Sequence, residues 1–158
     1  DDYRTQNQDN NQRIFYPLNE KTLFKINQKF RIFTKGLVKE KKIINTKGRI
    51  FEINNYYGSL ARFNFKELCD QNLGAEDYLN ISRICTHIFI ENVPTFDDYN
   101  SNQQLRFITL IDILYEKKII LTLSMNSDLE KMGTSKKHSK TFKRTTSRLH
   151  EMTMSKNY

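Results

Sequence analysis

The apolar positions between residues 18 and 34 recur at helical spacing. They are Leu23, Phe24, Ile26, Phe30 and Phe33. Asn19 stands at the position of an N-cap, so the pattern predicts a helix that begins just after it. The first dozen residues are polar and rich in Asn and Gln. We expect residues 1–17 to form an exposed leader and residues 18–158 to form one domain.

Short apolar runs predict strands in the next part of the chain. Residues 43–45 and 49–53 predict two short strands, and the segment Thr46-Lys47-Gly48 between them has the composition of a turn. The alternating residues 61–65 predict a further strand. Two short helices are expected after it, at 65–69 and 75–85.

The next segments have the pattern of a parallel-sheet unit. Residues 87–94 predict a buried strand whose apolar run stops at Glu91, and residues 119–123 predict another. Between them, the apolar residues of 102–116 fall on one helical stripe. A strand, a helix and a strand at this spacing predict a right-handed crossover between parallel strands.

The expected fold class is therefore α/β, with two or more parallel strands and crossover helices. A small β element precedes this unit, and a final helix is predicted over residues 142–154. Residues 126–132 are expected to form a short helix, and residues 133–141 a polar, basic loop.

The net charge of +8 is unevenly distributed. Residues 1–50 carry 12 basic and 5 acidic side chains, residues 51–130 carry 6 and 12, and residues 131–150 carry 7 basic and none acidic. This pattern is compatible with solvated surfaces, with basic flanks that bind a polyanion, or with flanks that pair with the acidic middle. Charge alone does not choose between them.

Several classes of protein are excluded by the composition. No stretch is long and apolar enough for a membrane span, and no secretory signal is visible. Cys69 and Cys85 do not form a CxxC pair, and His87, His138 and His150 lack metal-ligand spacing. The two thiols are expected to be buried as small hydrophobic groups. No GxSxG segment supports a hydrolase elbow.

A self-contained nucleotide site is also absent from the sequence. None of the five glycines begins a GxxxxGK[ST] loop, and there is no GxGxxG. Glu91 ends an apolar run as a Walker B carboxylate does, but without a P-loop it is better explained as a capping residue. Asp97, Asp98 and Asp112 offer carboxylates for acid–base work, yet nothing in the sequence aligns them.

Arg144 and Arg148 are the candidate binding residues. They lie four apart, so on a helix both guanidinium groups project from one face, where they could clamp a phosphate. An exposed basic helix with no ligand explains the same spacing equally well.

Four ordered blocks of the sequence resemble the C-terminal part of the ZapE/AFG-one-like ATPases, which are P-loop proteins of the AAA+ superfamily. The blocks are LARFNFKELCDQNLGAEDYLNISRI (60–84), FIENVP (89–94), RFITLIDILYE (106–116) and FKRTTSRLHEM (142–152). The start, Asp2-Tyr3-Arg4, is similar to the segment that follows the ATPase core in that family.

The resemblance implies a C-terminal region that lacks the Walker A and Walker B motifs. ATP and Mg²⁺ would bind to the full-length family member and not to this chain alone. A P-loop core in cis or in trans would be its partner, and Arg144, Arg148 or the weaker candidate Arg4 would act on the bound nucleotide. Family members act in bacterial cell division or mitochondrial protein quality control, which implies a bacterial cytoplasmic location or, alternatively, the mitochondrial matrix.

The resemblance also implies further partners, namely other proteins and a ring-type homo-oligomer. The alternative to the ATPase hypothesis is a stand-alone basic module that binds nucleic acid or a protein through residues 131–150. Phe142 is the only aromatic residue in that segment, so the sequence gives little support for base stacking on nucleic acid.

Overall fold

Six strands form one mixed β-sheet in the computed structural model of the chain, which describes residues 11–154. They are β1 (Ile14–Phe15), β2 (Lys39–Thr46), β3 (Arg49–Tyr57), β4 (Leu60–Asn64), β5 (His87–Val93) and β6 (Ile120–Met125). Their order in the sheet is β1-β6-β5-β4-β3-β2. The neighbouring pairs β1–β6, β6–β5 and β5–β4 are parallel. The pairs β4–β3 and β3–β2 are antiparallel. The α/β class is confirmed, and the small β element extends the parallel sheet.

Five helices accompany the sheet. They are α1 (Glu20–Thr34), α2 (Phe65–Cys69), α3 (Ala75–Ile84), α4 (Ser101–Glu116) and α5 (Ser139–Met154). The predicted cap of α1 is confirmed, since the Thr22 N–H donates to Asn19 Oδ1 at 2.9 Å. The helix expected at 126–132 is only a 3₁₀ turn, Leu129–Lys131. Helix α5 begins within the segment expected to be a loop.

The two faces of the sheet pack against different helices. Along β5, Ile88 and Ile90 belong to the large core that also contains the buried residues of α2–α5. Phe89, which points to the opposite face, packs with Ile26 and Phe30 of α1. This alternation produces three layers, with α1 on one side of the sheet and α2–α5 on the other.

The hairpin between β2 and β3 follows from two left-handed residues. Lys47 and Gly48 have φ values of 52° and 85°. Two consecutive positive φ angles define the type I′ turn, which matches the twist of antiparallel strands. The predicted turn is confirmed, and the Gly48 N–H also donates to Asn45 Oδ1 at 2.9 Å.

Strand β1 is the main element that the sequence did not predict. Ile14 and Phe15 fall in the segment expected to be an exposed leader, yet both are buried and pair with Leu123 and Ser124 of β6. A two-residue strand has no period to detect, and its partner lies at the other end of the domain. The first ten residues lie outside the described part of the chain.

Candidate functional site

The two candidate arginines of α5 face helix α4. Arg148 Nη1 lies 2.5 Å from Asp112 Oδ1, and Arg144 Nη2 lies 3.4 Å from Asp112 Oδ2. One carboxylate therefore accepts from both guanidinium groups. As their spacing predicts, the two arginines lie on one face of the helix. Asp112 accepts the hydrogen bonds that a phosphate was expected to accept.

Arg148 is held from several sides. Its guanidinium lies over the Tyr115 ring, 4.7 Å from the centroid, and its Nη2 is 3.8 Å from Glu116. The Tyr115 hydroxyl donates to Glu151 Oε2 at 2.8 Å, and this hydrogen bond raises the pKa of Tyr115. Since these residues lie on both helices, the cluster fastens α5 to α4.

The two arginines differ in exposure and in how firmly each is bound to Asp112. The Arg148 side chain is 21% exposed and lies close to Asp112, whereas Arg144 is 61% exposed and makes one long bond to the same carboxylate. Asp112 and Glu116 pair with the two guanidinium groups, and Glu151 lies in the same cluster through its bond to Tyr115. Arg148 is thus placed as a structural residue, and Arg144 retains donors that can turn toward a ligand.

Replacing Arg148 with Ala should destabilise the domain more than replacing Arg144. We expect Arg148→Ala to lower the free energy of unfolding by about 1–2 kcal/mol, because it removes the bond to Asp112 and the packing on Tyr115. Arg144→Ala should change it by less than about 0.5 kcal/mol, as is typical of exposed ion pairs. Urea denaturation monitored by circular dichroism measures both. Equal losses would show that Arg148 does not fasten the helices.

An adjacent side of α5 borders an open groove of about 660 Å³. Lys143, Ser147 and His150 line it from the helix, and Met132 and Thr134 line it from the preceding segment. Glu151 of the arginine cluster also lines this groove, whereas Arg144 and Arg148 do not. The groove therefore adjoins the cluster without being lined by either arginine.

Glu91 lies within β5 and not at its end. Its carboxylate pairs with the Arg62 guanidinium of β4, and both side chains are largely buried, with 13% and 15% exposed. Arg62 also donates to Asn27 Oδ1 at 2.5 Å and lies over the Phe30 ring, both on α1. The expectation of a loop-capping Glu91 is wrong, since the strand continues to Val93. Its carboxylate is engaged by Arg62 beneath α1.

The remaining acidic candidates do not assemble into a catalytic pair. Asp97 caps a 3₁₀ turn by accepting from the Tyr99 N–H, and Asp98 accepts from the Lys136 N–H, each at 2.8 Å. Asp112 is bound to the arginines. Within residues 11–154, no group of three His, Cys, Asp or Glu side chains is arranged to hold a metal ion.

The buried thiols and one histidine behave as core residues. Burial raises the pKa of Cys69, and raises that of Cys85 to about 12, so neither is a ready nucleophile. Both are free and buried, as expected. His87 Nε2 lies 2.9 Å from Thr122 Oγ1, and burial, together with Lys29 and Arg13, lowers the pKa of His87 to about 3. This imidazole is neutral at physiological pH.

The features expected of an ATP and Mg²⁺ site can be compared with the sequence and with the described residues. The sequence has no glycine-rich loop to cradle phosphates, and Glu91, the carboxylate that most resembles a magnesium ligand, is paired with Arg62. Arg4, the third candidate, lies outside the described residues. In the part of the chain that the structure covers, no helix combines the length and apolar character needed to cross a bilayer.

The sequence missed the partners of the arginines. A signal for Asp112 was present, because this carboxylate lies between Ile111 and Ile113 in an otherwise apolar run of the sequence. A charged side chain there needs a partner. Nothing in the sequence showed that the partner of Asp112 comes from α5, since that requires knowledge of how the two helices pack.

The ion pairs bear on the uneven charge distribution, for which solvated surfaces, polyanion binding and pairing with the acidic middle were the three explanations. Apart from Arg62–Glu91, every ion pair found between described residues joins a basic flank to the acidic middle. Arg49 with Asp77 is an example from the first flank, and Arg148 with Asp112 from the second. Pairing within one fold is thus confirmed for these residues.

Comparison with known proteins gives one family. The family model described as AFG1-like ATPase matches residues 1–158, which is the whole chain. A curated relative, lactation elevated protein 1 homolog B from Danio rerio, is 34% identical over 100 residues. That alignment covers 63% of this chain and 20% of the relative, so the chain spans about a fifth of the relative's length. No solved structure matches.

Proposed function

The chain belongs to the AFG1-like ATPase family, and from this membership we propose that it is the C-terminal region of such an ATPase. It acts in ATP hydrolysis only together with a P-loop core, which belongs to the same polypeptide or to a partner chain. The single observation that carries the proposal is a family match over the whole chain in a sequence that has no P-loop.

The proposed contribution to the nucleotide site is a positive charge from α5. Arg144 is the better candidate, because its guanidinium is exposed and its one bond to Asp112 is long. Arg148 supports it by fixing α5 on α4. An arginine presented in this way stabilises the negative charge on phosphate groups that the core binds. Arg4 is a weaker candidate for the same role.

The wider role of the proposed assembly follows the family. We propose a location in the bacterial cytoplasm or the mitochondrial matrix, with a role in cell division in the first case and in protein quality control in the second. A ring-type homo-oligomer, bound to further protein partners, is the assembled form that this proposal favours.

Reconstitution with a separately expressed P-loop core tests the role of Arg144. We expect the chain alone to bind no ATP by calorimetry with Mg²⁺, and we expect it to raise ATP turnover when the core is added. Arg144→Ala should lower that turnover by about tenfold or more, since a removed charge contact on a reacting phosphate has effects of this size or larger. Lys140→Ala, one turn earlier on α5, is the matched control and should leave turnover unchanged.

Two results would contradict the proposal. Tight, Mg²⁺-dependent ATP binding by the chain alone would mean that it contains a nucleotide site of its own. Full turnover in both Arg144→Ala and Arg148→Ala, with the chain bound to the core, would remove the arginines from the mechanism. Measuring the Kd for ATP in the same complexes separates a loss of binding from a loss of chemistry.

A further inference from the structure

Exposed apolar side chains are concentrated on one side of the domain. Most of the large ones among the described residues belong to α1 and the segments next to it, and they include Leu23, Phe24, Ile32, Leu37 and Val38. On the side of α2–α5, the exposed large apolar residues are Tyr99, Leu105 and Met154. A cluster of this kind on one side is typical of a surface that another protein covers.

The outward surface of α1 combines apolar and basic residues in two rows. Phe24, Arg31 and Lys35 follow one row at intervals of seven and four residues, and Lys21, Lys25 and Ile32 follow the adjacent row at intervals of four and seven. All six are exposed. We call this set the outer face of α1. It is opposite to Ile26 and Phe30, which α1 buries against the sheet.

The positive charge of the outer face indicates what kind of partner surface would bind it. Its four cations make no ion pair with any described residue of the chain. Two copies joined through this face would bring eight cations together, which disfavours symmetric pairing. A surface with carboxylates around an apolar centre fits the face instead, because it would pair the cations and cover Phe24 and Ile32.

We propose that the outer face of α1 is the docking surface for the P-loop core of the AFG1-like ATPase, whose contacting surface is acidic around an apolar centre. This inference rests on the proposed function. It is supported by the relative, which has about four fifths of its length outside the matched region and therefore has additional chain to cover such a face. A core docked there lies across the sheet from α5, so Arg144 would act on the nucleotide of a neighbouring copy's core in the proposed ring and not on that of the core docked on its own α1.

Binding of the full chain to a separately expressed P-loop core tests the surface. The probe is the core alone, and calorimetry gives the Kd. The variant Phe24→Glu/Ile32→Glu should weaken binding by about tenfold or more, since it places charge at the apolar centre. Lys21→Glu/Lys25→Glu should weaken it by a similar factor, and more steeply at low salt. Leu105→Glu, an equally exposed apolar position on α4, is the control and should bind as the wild type.

The outcomes separate the docking surface from the proposed function. If the wild-type chain binds the core and the two α1 variants bind equally well, the docking surface is wrong and the proposed function stands. If the wild-type chain does not bind the core, both are overturned. Self-association of the chain, or its sedimentation with phosphatidylglycerol vesicles, that is abolished by Phe24→Glu would assign the face to another occupant and overturn the docking surface. All the substituted side chains are exposed, so thermal unfolding should confirm that each variant is folded.

Discussion

Replacing Phe107 with Ala should lower the free energy of unfolding by about 3–5 kcal/mol, the largest effect we expect from a single substitution. The Phe107 ring on α4 is fully buried. Its centroid lies 5.8 Å from that of Phe65 on α2 and 5.6 Å from that of Phe96, which in turn contacts Phe142 of α5 at 5.4 Å. Four rings from four segments thus form one connected cluster, and removing the fully buried Phe107 ring leaves a cavity that rigid neighbours cannot fill.

Phe24→Ala is the matched control for this prediction. The residue is also a helical phenylalanine, but its side chain is 61% exposed. We expect a change within about 0.5 kcal/mol, as for surface positions in general. Chemical denaturation of both variants measures the difference. If Phe107→Ala lost no more stability than Phe24→Ala, the aromatic cluster would not be the centre of the helical layer.

Replacing Glu91 with Ala should cost about 2–4 kcal/mol. The substitution leaves the Arg62 guanidinium without its carboxylate partner in a largely buried position between the sheet and α1. A buried charge that loses its partner is strongly destabilising, even where the intact pair contributes little. The loss should be partly recovered in Arg62→Met/Glu91→Leu, because replacing both partners with apolar groups removes the unpaired charge.

An exposed ion pair supplies the control for Glu91. Lys41 and Glu52 lie 3.1 Å apart on β2 and β3, with both side chains open to solvent. Glu52→Ala should cost no more than about 1 kcal/mol. Urea titrations of Glu91→Ala, Glu52→Ala and the double replacement give the three values. A double replacement as unstable as Glu91→Ala alone would mean that packing, and not the unpaired charge, is responsible.

Local patterns in the sequence predicted the individual elements well. Asn19 and the apolar spacing that follows it predicted α1, because capping and periodicity are properties of neighbouring residues. The same holds for the turn at Lys47-Gly48, where the backbone must adopt positive φ. The parallel pairing of β5 and β6 was also predicted, because a helix that connects two buried strands is typical of a crossover between parallel strands.

Long-range contacts could not be predicted in the same way. The pairing of Ile14 with Leu123, and of Asp112 with Arg148, depends on how distant segments meet in space. For the candidate site, the sequence correctly placed both arginines on one helical face, but it could not show that a carboxylate of α4 already binds them. The exposed outer face of α1 was equally hidden, because Phe24 and the buried Ile26 look alike in an apolar pattern.

The order of strands has a consequence for synthesis on the ribosome. The hairpin of β2 and β3 is local and can form as soon as its residues emerge. In contrast, β1 pairs only with β6, the last strand of the sheet, so it stays without its partner until almost the whole domain has been translated. Ile14 and Phe15 therefore lack their β6 partners while this part of the chain is being made, and closure of the sheet is a late event in folding.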